Sequence, residues 1–354
     1  MMPIVSGLSS PDYVRLSLAS AMALRIRSGR FYRDVHNGCI NLLLTYPESC
    51  RARCAYCGLA RMSSSPMLVT AAAAGGQSFI RVDWPTVPTE EVLARLSRHR
   101  AHIRRVCLSM VMHHRAYSDT LVLIRRLATE AGGSPLSALI APPLVNEARL
   151  RELQTAGVER IGIGLDAASE RVFGYRRPGL SWLAYWRTVV AARGVFGPDR
   201  VNCHLVVGLG ETDAELVELC FRLRAMQVSS YLFSFYPEPG SSMARTRRPS
   251  LVRWRRLQLV THLIDRYNVQ PEQIRFDNRG CLVRLEIEPA HLRAALAHGE
   301  PFITQGCPGE DCGPACTRPF GSYRPGEPFR DYPFAPDPED LQQIERQLRL
   351  AVLC

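Results

Sequence analysis

Six short apolar, β-rich runs, separated by stretches of helical spacing, occupy residues 39–236, and few folds accept such a pattern. The runs are Cys39–Tyr46, Arg105–Met112, Leu136–Ala141, Arg160–Leu165, Val201–Gly208 and Tyr231–Tyr236. Between them, helical spacing marks Thr89–His99, which opens on a capping Thr-Glu-Glu, then Ser118–Ala131, Asn146–Ala156, Ser181–Arg193 and Thr212–Met226. Several runs are almost continuously apolar, as strands buried on both faces of a parallel sheet are. Strand–helix alternation of this kind specifies a parallel sheet with right-handed crossovers. The fold class is therefore α/β, as an open doubly wound sheet or an incomplete barrel. No G-x-G-x-x-G stands between a strand and a helix, which disfavours a dinucleotide-binding fold.

Around this core the sequence predicts an amphipathic helix over Pro11–Ser28 and another over Leu251–Arg266. Four parts follow: an N-terminal helical extension (1–38), the repeating core (39–245), a helical linking segment (246–300) and a cysteine-bearing C-terminal segment (301–354). Gly306–Pro338 is too rich in Gly, Pro and Cys to pack a core alone, so the main domain, a metal or both must hold it. No apolar run approaches the roughly 20 residues of a membrane-spanning helix. The leader before Leu16–Leu24 carries no net charge (Asp12 against Arg15) and contains Pro3 and Pro11, unlike a signal peptide, so a cytoplasmic protein is expected. The net charge of +11 comes from arginine alone, since the chain has no lysine. A GC-rich genome explains that as well as an acidic partner does. Arg245, Arg247, Arg248, Arg253, Arg255 and Arg256 read as a solvated face or as a docking surface for such a partner.

Twelve cysteines in a chain of this kind suggest metal chemistry rather than a disulfide framework. Cys39, Cys107, Cys203 and Cys220, in or beside apolar runs, read as small hydrophobes, while Cys281 and Cys354 stand apart. Cys50, Cys54 and Cys57 instead follow the first run, in the loop where a parallel α/β fold builds its sites. Three is the informative number. A structural zinc takes four closed ligands, whereas a cubane on three cysteines keeps one iron open for a small molecule. A zinc or redox loop is the alternative.

Cys50-x3-Cys54-x2-Cys57, with Tyr56 before the last cysteine and a βα core around it, resembles the cluster loop of the radical S-adenosylmethionine (SAM) superfamily. The resemblance implies a partial (β/α)6 barrel with an N-terminal helix and a Cys-rich C-terminal extension. It implies a [4Fe–4S] cluster on Cys50, Cys54 and Cys57, with SAM on the open iron. One-electron cleavage of the sulfonium would release a 5′-deoxyadenosyl radical that takes hydrogen from an unactivated carbon. Residue roles follow from the same resemblance. Tyr56 would lie near the adenine, and Asp166, at the end of Val158–Asp166, would bond the ribose, with a helix N-cap as its other reading. Gly208, in Val206–Glu211, would let the backbone approach the adenine. Arg176 or Arg177 would pair with the SAM carboxylate or lie at the surface. Where many members carry Gly-Gly-Glu, the second strand ends in His113-His114, which leaves Ser109 as the substitute contact to the amino group. Adjacent strand positions face opposite ways, so the two histidines do not form a chelating pair.

Cys307-x4-Cys312-x3-Cys316, in a Gly/Pro-rich turn, can wrap an auxiliary cluster or a structural zinc, or carry loose thiols. Ser322, Cys281 or a non-protein group would complete the ligands. A SAM core with such a triad resembles lipoyl and biotin synthases, which sacrifice a cluster as sulfur donor. The tail Cys307–Pro333, with Cys-Thr-Arg-Pro-Phe, Tyr-Arg-Pro-Gly and Asp-Tyr-Pro, looks most like the radical SAM subunits of two-component lipoyl synthases. That resemblance implies two [4Fe–4S] clusters and sulfur insertion into a protein-bound octanoyl chain. Its implied partners are an octanoylated lipoyl domain or carrier protein, a sister radical SAM subunit, and an electron donor such as ferredoxin or flavodoxin; neither a membrane nor nucleic acid is expected. The C-terminal segment is expected to close the barrel mouth. Two other readings stand beside this one: a biotin-synthase-like or other auxiliary-cluster enzyme acting on a small molecule, and a zinc-stabilised RNA-binding protein.

Overall fold

In the computed structural model, which describes residues 7–48, 50–60, 82–321 and 327–349, each apolar run forms a strand. The strands are β1 (Tyr13–Leu16), β2 (Cys39–Leu44), β3 (Thr86–Pro88), β4 (Arg105–Ser109), β5 (Leu136–Ile140), β6 (Val158–Asp166), β7 (Val201–Val207) and β8 (Ser229–Ser234). They form one sheet in the order β3-β1-β2-β4-β5-β6-β7-β8. From β2 to β8 every neighbouring pair is parallel, while β1 and β3 add antiparallel strands beyond β2. This is the expected α/β partial barrel.

The crossovers are α2 (Thr89–Arg98), α3 (Ala116–Glu130), α4 (Glu147–Thr155), α5 (Glu170–Arg176) with α6 (Trp182–Phe196), and α7 (Asp213–Ala225). Their starts are set locally. Asn146, Ser169, Ser181 and Thr212 each accept a backbone N–H from the first turn, and Thr212 forms a capping box with Glu215. The Thr-Glu-Glu start of α2 behaves differently: Pro88 is its cap, and the Thr89 hydroxyl donates to Pro11 O at 2.6 Å.

The single N-terminal helix expected over Pro11–Ser28 is not formed. Its first part is β1, and only Leu18–Ala23 (α1) is helical. Val14 and Leu16 alternate with polar residues, and beside β2 they bury both side chains opposite Leu44 and Leu42. An available sheet edge overrides a helical spacing that was equally compatible with the sequence. The helix α8 (Leu251–Arg266) forms as expected, followed by a hairpin of β9 (Ile274–Phe276) and β10 (Leu282–Leu285), then α9 (Pro289–Ala297) and α10 (Pro338–Leu348).

The Arg-rich stretch is divided: Arg245 and Arg247 are exposed, while others are turned inward. Arg255 is fully buried, donating to Phe329 O, to Arg330 O at 2.6 Å and to Gln347 Oε1 at 2.8 Å. Arg253 pairs with Glu211 at 2.9 Å and Asp213 at 2.6 Å, and Arg248 with Glu327 at 2.8 Å. These arginines tie α8 to the loop after β7 and to the C-terminal segment. Among the described residues no helix is long and apolar enough to cross a membrane.

Side chains alternate along each parallel strand, as period-2 geometry requires. Ile40, Leu42, Val106, Leu108, Ile161, Ile163, Cys203 and Leu205 are buried against the helices. The opposite face reads Cys39, Asn41, Leu43 on β2, then Arg105, Cys107, Ser109 on β4, and Asn202, His204, Val206 on β7. A barrel interior is ordinarily packed with branched apolar residues. This one is polar and carries thiols.

Candidate functional site

Pro47 ends the run of β2, and the following loop carries Cys50, Cys54 and Cys57 over the C-terminal ends of the strands. Three backbone bonds pin it: Arg51 N to Met112 O at 2.9 Å, Ala55 N to Arg176 O at 2.8 Å, and Met243 N to Ala55 O at 3.1 Å. All three thiols line one large cavity. Met112 N donates to Cys50 Sγ at 3.3 Å, Leu59 N donates to Cys57 Sγ at 3.4 Å, and the Arg177 guanidinium lies beside Cys54. Burial pushes the Cys54 and Cys57 thiols up, so anything held here must bring the positive charge that makes thiolates favourable. Donors aimed at sulfur, in a trio of which Cys54 is buried and Cys50 and Cys57 half-buried, fit a metal cluster. Among the described residues, no three His, Cys, Asp or Glu side chains lie close enough to hold a single ion.

Asp166 ends β6 where the pairing with β7 shifts register, and it takes φ = 63°, rare for a residue with a side chain. Its carboxylate lines the cavity beside Tyr56, whose hydroxyl donates to Oδ2 at 2.5 Å, and Arg177, whose Nη1 lies 3.4 Å away. Such a backbone costs on the order of 1–3 kcal/mol and persists where surrounding contacts over-determine it. Asp166 is not a helix cap, since Ser169 caps α5. Nor is Arg177 at the surface. It is 7% exposed, and it donates to Gly164 O, to Leu165 O at 3.3 Å and to the Tyr185 hydroxyl at 3.0 Å. Nη1 and Nη2 are held by β6 and Tyr185, which orients the guanidinium toward Asp166 and Cys54. Arg176 instead donates to Leu209 O at 2.6 Å.

Ser109 lines the cavity at the end of β4. Gly208 does not; Val206 does. The close approach that Gly208 permits is to Phe235 and Pro249, whose side-chain carbons would lie 3.0 Å from an added Cβ. The N–H groups of Gly208, Leu209 and Gly210 all donate to the Glu211 carboxylate, at 2.7, 2.8 and 3.1 Å. This anion-binding nest is filled by the chain's own glutamate, with Arg253 behind it.

The C-terminal segment divides between two places: Arg318, Gly321 and Asp331 line the cavity with the upper cysteines, and the second cysteine group lies apart from it. Residues 306–316 dock on the N-terminal ends of the strands, the barrel floor, rather than on its mouth. Arg104 donates to Pro314 O at 2.7 Å, and buried Arg105 donates to Pro308 O at 2.6 Å while also bonding Ser137 and Glu159 at 2.9 and 3.2 Å. Cys307 and Cys316 face inward: Asn202 Nδ2 lies 3.5 Å from Cys307 Sγ, and Cys316 Sγ lies 3.9 Å from Asn41 Oδ1. Cys312 does not join them. It is exposed at the turn's tip with φ = 61°. Ser322 lies outside the described residues, and Cys281 is exposed beside β10.

The neighbours of Cys307 and Cys316 are Cys39 and Cys107, which the sequence reading took for small hydrophobes. Cys39 Sγ and Cys316 Sγ both approach Asn41 Oδ1, at 3.8 and 3.9 Å, and beside Cys39, Arg318 and Arg105 the Cys316 thiol falls to about 7, while Cys39 is pushed well up. Above them His204, held neutral by burial and Arg318 with its pKa lowered to about 3, lines the cavity with Phe233 and Arg318. Arg318 sits 4.0 Å from the Phe233 ring, so residues 316–318 bridge β2 and β8. The signal that would have found this floor is period-2: Cys39-x-Asn41 and Arg105-x-Cys107-x-Ser109 put polar side chains on one face of buried strands.

Residues 45–223 match the Radical SAM superfamily, half of the chain. A biotin synthase from Nocardioides sp. (strain ATCC BAA-499 / JS614) is 26% identical over 253 residues; the match covers 69% of this chain and spans 61% of the relative's length. Two solved structures are similar in fold. Methylornithine synthase is 14% identical, with 95% of this chain and 87% of that chain covered and a TM-score of 0.48. The FeFe-hydrogenase maturase HydG of Carboxydothermus hydrogenoformans is 16% identical, with 95% and 70% covered and a TM-score of 0.48.

Proposed function

This chain belongs to the radical SAM superfamily, and from that premise we propose that it inserts sulfur into an unactivated C–H bond of a protein-bound octanoyl chain. The observation that carries this reading is the thiol-bearing barrel floor: Cys307 and Cys316 enter the barrel from the C-terminal segment, beneath the cavity that Cys50, Cys54 and Cys57 line. A sulfur donor beneath a radical source, with the substrate chain between them, is the arrangement such a reaction needs.

Cys50, Cys54 and Cys57 would hold the [4Fe–4S] cluster, which, with SAM and one electron from a ferredoxin- or flavodoxin-like donor, supplies a carbon-centred radical able to remove hydrogen. The chain's own part is positioning and exclusion. Tyr56 and Arg177 fix the Asp166 carboxylate, which would accept hydrogen bonds from the ribose hydroxyls. Ser109, at the end of β4, would meet the SAM amino group. Leu43, Leu139, Val206 and Phe233 give the middle of the cavity an apolar wall that suits an alkyl chain and keeps water from it. A second set of thiols, on the floor, would hold the auxiliary cluster.

The biotin synthase relative favours a second reading, sulfur insertion into a free small molecule. One experiment separates the two. Anaerobically reconstituted protein is incubated with SAM, dithionite and an octanoyl-lysyl carrier domain, and the carrier is weighed by mass spectrometry. A gain of sulfur with matching 5′-deoxyadenosine supports the carrier reading. Formation of 5′-deoxyadenosine that leaves the carrier unchanged refutes it and moves the substrate to the small-molecule class.

A further inference from the structure

The barrel floor is built from four distant pieces of chain. Cys39 opens β2, Cys107 lies in β4 opposite Asn41, and Cys307 and Cys316 arrive on the C-terminal turn. That turn is shaped to present the last two together. Cys316 N and Ala315 N both approach Cys307 O at 3.3 Å, and Pro308 bridges Pro314. Gly306 is what allows the fold-back, because a Cβ there would lie 2.3 Å from Cys316 O. Cys312 is left on the outer tip.

Three further features point to an occupant. These interior positions ordinarily carry Val, Ile or Leu, and here they carry thiols, amides and cations. Asn202 is 3% exposed; its Nδ2 donates to Ile161 O at 3.2 Å and to Cys307 Sγ at 3.5 Å. It is the Nδ2 donor that suits an occupant here, because the sulfurs of a cluster accept hydrogen bonds. Finally, Arg105, Arg160 and Arg318 surround the thiols, which suits a centre that carries net negative charge once four thiolates bind it.

We propose that Cys39, Cys107, Cys307 and Cys316 are the ligands of an iron–sulfur cluster on the barrel floor, and that Cys312 is not one of them. The assignment deepens the sulfur-insertion reading and rests on it for the cluster's use, though not for its binding. Four thiolates are a complete set for either a [2Fe–2S] or a [4Fe–4S] centre. The set needs neither Ser322 nor Cys281. It also joins the C-terminal turn to the wall of the barrel, so the segment that could not pack a core alone is held by the centre it helps to bind.

The test isolates the floor by removing the upper trio. The full-length Cys50→Ala/Cys54→Ala/Cys57→Ala variant is reconstituted anaerobically with ferrous iron, sulfide and dithiothreitol. It should retain about two to four irons per chain, with matching sulfide and a brown chromophore. Adding Cys312→Ala, or Cys203→Ala as a buried cysteine on the outer face of β7, should change neither iron nor absorbance. Adding Cys39→Ala should abolish the chromophore, and Cys107→Ser, a nearly isosteric change, gives the same readout should Cys39→Ala fail to fold by circular dichroism. Iron that survives Cys39→Ala and Cys107→Ser but is lost with Cys312→Ala overturns the ligand set while leaving the sulfur-donor reading in place. A triple variant with no iron, or with a single zinc, overturns both.

Discussion

The two thiol sites of this protein are built in opposite ways. The upper one takes Cys50, Cys54 and Cys57 from eight consecutive residues, in a loop whose position follows from the strand before it. The floor takes its thiols from residues 39, 107, 307 and 316, and only the sheet order and the docking of the C-terminal turn bring them together. A contiguous site tolerates movement of the domain around it. A site assembled across the fold depends on the fold and also reports on it. Each site has a buried arginine beside it: Arg177 bonds the backbone of β6 behind Cys54, and Arg105 bonds Pro308 O beneath Cys307.

The largest expected effect breaks the two sites apart. Cys54→Ala should reduce 5′-deoxyadenosine formation to background while the floor retains its iron, read by single-turnover assay and by iron content after reconstitution. If both are lost together, the sites are not independent centres and the contrast between them fails.

Arg105→Ala comes next. It removes the donors that hold Pro308 O, Leu136 O and the Ser137 hydroxyl from a side chain only 2% exposed, and should cost about 2–4 kcal/mol in urea unfolding. Proteolysis within residues 306–316 should accelerate, while SAM cleavage persists in the folded fraction. Unchanged stability and unchanged cleavage would mean that the floor is held by other contacts than these.

The same contrast decides what could be read from the sequence. Period and composition were enough for the six parallel strands, for α8 at its observed ends, and for the upper cysteine loop, because each is a local pattern. The strand β1 was missed since four residues beside Ser17 satisfy a helical and an alternating pattern alike, and only the edge of β2 selects one. Cys39 and Cys107 were missed for a related reason: in a nearly continuous apolar run, a cysteine on the inner face looks like a cysteine on the outer face. Cys203 and Cys220 show the other outcome, buried among Leu and Val side chains. Arg253 and Arg255 looked like solvated charge because their acceptors, at Glu211 and Arg330, are distant in sequence.

Asp166→Asn sharpens the upper half of the comparison. It keeps the shape and the positive φ but exchanges an acceptor-only group for an amide, and disturbs the bonds from Tyr56 and Arg177. If the carboxylate holds the ribose hydroxyls, SAM should bind about 10- to 100-fold more weakly, the loss of a hydrogen bond to a charged group of about 1.5–3 kcal/mol. Equilibrium dialysis with SAM measures it. An unaltered affinity would leave Asp166 with a structural role only.

The smallest effect concerns the layer between the sites. His204 is held neutral with its pKa lowered to about 3, first by burial and then by Arg318. An unfolded histidine titrates near 6.5, so between about 3 and 6.5 the unfolded chain binds the extra proton and the folded one does not. Stability contributed by neutral His204 is thus intact above pH 6.5 and falls as the pH drops through that window, by up to about 1.4 kcal/mol per unit. Urea unfolding of wild type and His204→Gln at pH 7.5, 6 and 5 tests the sign: the variant should lose less stability on acidification. A steeper loss in the variant would mean that His204 takes up its proton in the folded state, and that the layer joining the two sites is wetter and more open to charge than its burial implies.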